Sequence, residues 1–169
     1  MKTYCLLNLF LLLNNLQPQD KFKTIIDEKS GKPMLVGEIN RDVFRDTSYS
    51  WWFDSEYDMY KPDKQVLDSI KQKLENIEIT MVIGTWCSDS RREMPRFFKI
   101  IDSLNFSPDK IKLIAVDRDK KDLNGETDSL SIELVPTFII YLTGKELGRI
   151  TEAPVETLEV DFNRIVWTE

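Results

Sequence analysis

Apolar and polar positions alternate along this 169-residue chain in a way that predicts short strands separated by amphipathic helices. Ile79-Thr80-Met81-Val82-Ile83-Gly84 is a brief, β-branched apolar run and reads as a buried strand. Ile111 to Val116 reads the same way and ends at Asp117-Arg118-Asp119. Phe138 to Leu142 and Leu147 to Ile150, joined at Thr143-Gly144-Lys145-Glu146, read as an antiparallel hairpin. Lys61-Pro62-Asp63 opens a helix with Val66, Leu67, Ile70 and Leu74 on one face. Met94, Phe97, Phe98, Ile101 and Leu104 mark a second helix, and Val155, Leu158, Phe162 and Ile165 a last one. Polar residues 119–131, with Gly125, read as a loop containing a short helix. Upstream, Phe22 to Ile26 and Met34 to Ile39 flank the turn signals of residues 27–33 and resemble a hairpin with a long loop. Residues 40–60 are rich in aromatics (Phe44, Tyr49, Trp51, Trp52, Phe53, Tyr57, Tyr60) without a clean period. Strand–helix–strand units imply parallel pairing and the hairpin adds antiparallel strands. The expected fold is therefore α/β, a mixed sheet with helices on both faces.

The N-terminus changes this picture. Met1-Lys2-Thr3 leads into the apolar stretch Tyr4 to Leu13, which has the form of a signal peptide and is too short to span a membrane. Residues 1–19 read as this leader, 20–61 as an N-terminal extension and 62–169 as the main domain. Export to a periplasm or the extracellular space is the expectation; a buried N-terminal helix of a cytoplasmic protein is the alternative. Removal of the leader takes Cys5 with it and leaves Cys87 as the sole cysteine, unable to form an internal disulfide.

Composition narrows the chemistry. The net charge of −6 argues against nucleic acid as the main partner, and contact with a membrane is expected only through an uncleaved leader. The chain has no histidine, which excludes Ser-His and Cys-His dyads and any imidazole base or ligand. Two cysteines are too few for a thiolate zinc site, so no metal is expected, nor any other cofactor. What remains is a thiol placed where a central strand turns into a helix. The first N–H groups of a helix lack intrahelical partners and the macrodipole is positive there, which favours a thiolate. Arg91 adds to that tendency and Asp89 opposes it.

Around that thiol, Trp86-Cys87, a following basic residue at Arg91, Pro95 eight positions beyond the cysteine, and Val135-Pro136-Thr137 ahead of a strand form a convergent set. Together with the ending of two strands and a helix, they resemble the thioredoxin superfamily over residues 62–167. The resemblance implies a thioredoxin-like domain at 62–169 that performs thiol–disulfide exchange. Cys87 would be the nucleophile, Arg91 a supporting residue, and Trp86, Val135, Pro136 and Thr137 the substrate-contacting surface, with Pro136 cis. The partner would be a thiol- or disulfide-bearing protein or a small thiol.

Two positions depart from the pattern. The second cysteine, three residues after the first, is Ser90, and a buried acid that aids proton transfer is replaced by Met81. A Cys-x-x-Ser site forms a mixed disulfide without resolving it internally, so isomerase-like or thiol-trapping activity fits better than net reduction. Ser90 is expected to donate a hydrogen bond to Cys87, or to serve only as a helix-start residue. The competing function is a thioredoxin-fold binding or scaffold protein without catalysis, in which Cys87 is an inert buried thiol. Arg92, Arg96 and Lys99 read as a solvated helix face, and Trp51, Trp52 and Phe53 as core or edge cover, with a lid over Cys87 as the alternative.

Overall fold

The strand Ile77–Ile83 (β3) lies inside the sheet because almost none of its side chains tolerate water: Ile77, Ile79, Met81, Val82 and Ile83 are all buried. A computed structural model describes residues 21–168 of the chain, so the leader, including Cys5, lies outside the described residues. β3 pairs in parallel with β4 (Ile111–Ala115) and antiparallel with β5 (Thr137–Leu142), which turns at Thr143-Gly144 into β6 (Lys145–Thr151). The hairpin expected at residues 22–39 is present as β1 (Phe22–Ile26) and β2 (Pro33–Ile39). β2 pairs antiparallel with β4, so the extension is built into one six-stranded mixed sheet of order β1-β2-β4-β3-β5-β6.

Residues 40–60 are more ordered than their composition suggested. Asn40 opens a 3-10 turn over Arg41–Arg45, and Asp46 then caps the helix Thr47–Met59 (α1) through a bond accepted from Ser48 N–H. Tyr49, Trp52, Phe53 and Tyr57 do follow helical spacing; exposed Trp51, 66% accessible, hid the period. Three further helices follow at Lys64–Lys71 (α2), Ser88–Ser103 (α3) and Leu158–Val166 (α4). Leu74 falls beyond α2 but still packs on the core, whereas Val155 lies outside α4 and is exposed. Lys145 and Glu146, read as turn residues, belong to β6.

The sheet is flanked by helices, but they do not divide between its faces. Side chains from α1, α2, α3 and α4 all join one cluster on the face that carries Ile77, Ile79, Met81 and Ile83. Phe97 of α3 forms its centre, stacked on Phe138 of β5 at 4.5 Å and tilted against Phe162 of α4 at 5.6 Å. On the other face Val82, Ile114, Val116 and Val135 form a small cluster, with Trp86, Cys87, Leu130 and Ile132 packed against it. That face also carries buried Met34, Val36 and Ile139 together with the polar Glu78, Lys112 and Arg149, and Lys112 pairs with Glu126 from the 3-10 turn Glu126–Ser129. The short apolar strands concealed this asymmetry because β-branched residues serve both faces of a sheet alike. In the same loop, burial pushes the Asp122 carboxyl up, but bonds from the Thr127 and Asn124 N–H groups and the Thr127 hydroxyl outweigh it and bring its pKa down to about 2.

Candidate functional site

The site begins where β3 stops. Gly84 follows the strand, and its carbonyl accepts from Cys87 N–H at 2.9 Å, closing a tight turn through Thr85 and Trp86. Thr85 is buried and its hydroxyl oxygen accepts from Leu35 N–H at 3.1 Å, which fastens the turn to β2. The Trp86 indole N–H donates to Val116 O at 2.9 Å, at the end of β4. The ring folds back over Gly84 so closely that a Cβ there would lie 2.7 Å from Trp86 Cε2. A Gly84→Ala substitution is therefore expected to displace the indole, break its bond to Val116 and cost about 1–3 kcal/mol. Urea denaturation together with near-ultraviolet circular dichroism would read both effects.

Cys87 is the N-cap of α3, in extended conformation with φ −89° and ψ 130°. The residue is half-buried, and its Sγ donates to Val135 O at 3.3 Å. The Val135–Pro136 peptide bond is cis. The thiol at the helix start and the loop before β5 thus come together from positions 48 residues apart. Pro136 O is taken by Glu152 N–H at 2.7 Å, and the Thr137 hydroxyl turns inward to donate to Leu134 O at 2.7 Å. Of the four residues named for substrate contact, Trp86 is partly exposed, while Val135, Pro136 and Thr137 are buried.

Ser90 is buried, and its hydroxyl oxygen accepts from Gly84 N–H at 3.1 Å, so it bonds the residue after β3 rather than the thiol. A hydroxyl that accepts one bond still has its own proton to donate. Arg91 wraps back over the turn and donates through Nε to Thr85 O at 2.7 Å. Asp89, which would repel a thiolate, is engaged by Arg92 at 2.9 Å. Arg96 pairs with Glu56 of α1 at 2.7 Å, and Lys99 lies over the Tyr57 ring at 4.4 Å. That helix face is thus partly covered by α1 at Arg96 and Lys99, while the Arg92 side chain stays 39% exposed. Trp52 and Phe53 are core, as read; Trp51 is exposed and lines a shallow pocket with Pro33, Tyr49 and Arg91.

Sequence reasoning missed a pair on the other side of the indole. Arg118, two residues beyond Val116, lies over the Trp86 ring at 4.7 Å. It donates from Nε and Nη2 to the two carboxylate oxygens of Asp27 at 2.7 and 2.8 Å. Asp27 also accepts from the Ser30 hydroxyl and is almost fully buried at the end of β1. In the sequence Asp27 looked like a turn residue and Arg118 like a strand terminus; no local signal joins positions 91 residues apart. The Arg118 bonds, then the Ser30 bond, hold the Asp27 carboxyl well below the usual carboxylate range, against the opposing effect of burial. A folded-state pKa below the unfolded value stabilises the fold above about pH 4 and loses that contribution as pH falls further. Asp27→Asn is accordingly expected to lower the urea midpoint at neutral pH and to flatten its decline in acid. Denaturation curves at neutral pH and in acid would check this.

Mixed pairing around β3, a thiol opening the helix that follows it, and an X-Pro loop facing that thiol define the chain as thioredoxin-like. It is 28% identical over 104 residues to thioredoxin of Oryctolagus cuniculus, a match that spans 61% of this chain and 90% of that protein. No protein-family model matches the chain. Among solved structures, it is similar to the oxidised thioredoxin of Plasmodium falciparum at 20% identity and a TM-score of 0.41, covering 62% of this chain and 93% of that one. It is also similar to the thioredoxin of Malassezia sympodialis at 23% identity and a TM-score of 0.40, covering 59% and 84%. The similarity to a thioredoxin supports a thiol redox role in general.

Proposed function

We propose that this protein is a thioredoxin-like monothiol protein of thiol–disulfide exchange, in which Cys87 forms mixed disulfides with protein or small thiols. The observation that carries the reading is Cys87, a half-buried residue at the start of α3 whose Sγ is held 3.3 Å from Val135 O. The step is an exchange in which the Cys87 thiolate attacks one sulfur of a disulfide. The S–Sγ bond forms as the partner's S–S bond breaks, and the departing sulfur takes the electron pair as a thiolate. Once Sγ has lost its proton, Val135 O is released from the thiol and is available to accept from a partner's backbone N–H. Ser90 supplies no second sulfur, so the mixed disulfide waits for an external thiol to resolve it.

In a Cys5→Ser background, Cys87→Ser is expected to form no adduct with a disulfide-bearing client, whereas the chain that keeps Cys87 retains one through non-reducing electrophoresis. The scaffold reading predicts instead a client that binds equally well to Cys87→Ala. Export remains part of the proposal, on the pattern of residues 1–13 alone. N-terminal sequencing of the protein recovered from secreting cells would detect removal of the leader; recovery of the intact leader in the cytoplasm would contradict it.

A further inference from the structure

The charges beside Cys87 are unusual for an acidic protein. The guanidinium of Arg118 lies over the ring of Trp86, the residue immediately before Cys87. Its acidic partner is hidden: the Asp27 side chain is 2% exposed and that of Arg118 34%. Both bonds to Asp27 leave from the Nε–Nη2 edge, so Nη1 takes no part in the clamp. Arg91, four residues beyond Cys87, bonds a neutral carbonyl and has no ion-pair partner among the described residues. The nearest acid on the helix, Asp89, is held by Arg92. Arg118 thus stacks on the residue next to the thiol with its bonded acid buried, and Arg91 stands four residues beyond the thiol without an ion pair among the described residues, on a chain of net charge −6.

We propose that Arg118, clamped by Asp27 over the Trp86 indole, is a positioning and charge-selecting residue of this site, favouring disulfides and thiols with an anionic group beside the reacting sulfur. The proposal rests on the exchange reading above. The guanidinium acts twice. Its planar face fixes the indole that borders Cys87, a cation–π contact that a lysine reproduces less well. Its charge attracts a carboxylate carried on the incoming disulfide and the anionic thiolate that leaves. No further reactant is required, because the exchange conserves electrons: one S–S bond is made and one broken.

The test uses the full chain with Cys5→Ser, so that Cys87 is the sole thiol. Second-order rates are measured at neutral pH with dithiobis(nitrobenzoate), which is anionic, and with dithiodipyridine, which is neutral. The quantity read is the ratio of the two rates. Arg118→Met is expected to lower that ratio by about three- to tenfold, while Arg118→Lys keeps it within about twofold. A merely structural role would change both rates together and leave the ratio alone. If Arg118→Met does not fold, the unmutated Arg118 protein still decides the matter. Local attraction predicts that its ratio falls as salt is added, whereas repulsion by the net charge predicts that it rises. An unchanged ratio in a folded Arg118→Met protein, or a ratio rising with salt, overturns the inference and leaves the exchange reading standing. Failure of native Cys87 to react with either reagent overturns both.

Discussion

A Ser90→Cys protein is expected to release a mixed disulfide at Cys87 at least about 100-fold faster than the native chain does, because a tethered thiol attacks at an effective concentration no dissolved thiol reaches. Position 90 is three residues beyond Cys87 in the first turn of α3, a separation across which Cα atoms fall within disulfide range. The replacement keeps the size of the side chain but substitutes a poor acceptor for the oxygen that takes the Gly84 N–H. That exchange costs about 1 kcal/mol, small beside the gain in rate. The measurement is a stopped-time mass assay of a preformed adduct with no added thiol. Adduct lifetimes that are equal in the two proteins would mean that residue 90 does not face the sulfur. The site would then not be that of a dithiol exchanger lacking one sulfur.

The second large effect is on stability. Phe97 is fully buried and touches Phe138 and Phe162, so it joins α3 to both β5 and α4 beneath the site. Phe97→Ala removes a ring from the middle of the cluster that unites all four helices, and is expected to cost about 3–5 kcal/mol. Equilibrium urea denaturation would show a lower midpoint with an unchanged slope. A loss below about 1 kcal/mol would show that the helices hold their places without this contact.

The parts of the fold that were legible in the sequence are those fixed by local pattern. β3, α3 and the β5–β6 hairpin follow from apolar runs, the 3.6 period and a turn signal at Thr143-Gly144. The helix over Thr47–Met59 was there to be read from Tyr49, Trp52, Phe53 and Tyr57, but Trp51 on the outer face masked it. What local pattern does not carry is pairing over distance. The antiparallel junction of β2 with β4 and the bond from Leu35 N–H to Thr85 depend on side chains far apart in sequence. The same holds for the clamp of Asp27 on Arg118, where each residue taken alone is an ordinary surface charge. The thiol itself was legible because its neighbours Trp86, Ser90, Arg91 and Pro95 are local; the partner of the Ser90 hydroxyl was not, since a serine at a helix start has several acceptors and donors within reach.

On the proposed function, Cys87 traps a partner through a mixed disulfide that the protein cannot resolve by itself. Intact-mass analysis of the folded Cys5→Ser chain after treatment with dithiodipyridine tests it most directly. One adduct is expected, located at Cys87, that persists on removal of the reagent and disappears when an external thiol is added. A folded protein that gains no adduct, yet reacts readily once unfolded in urea, would contradict the account and leave a thioredoxin-like scaffold with a structural cysteine.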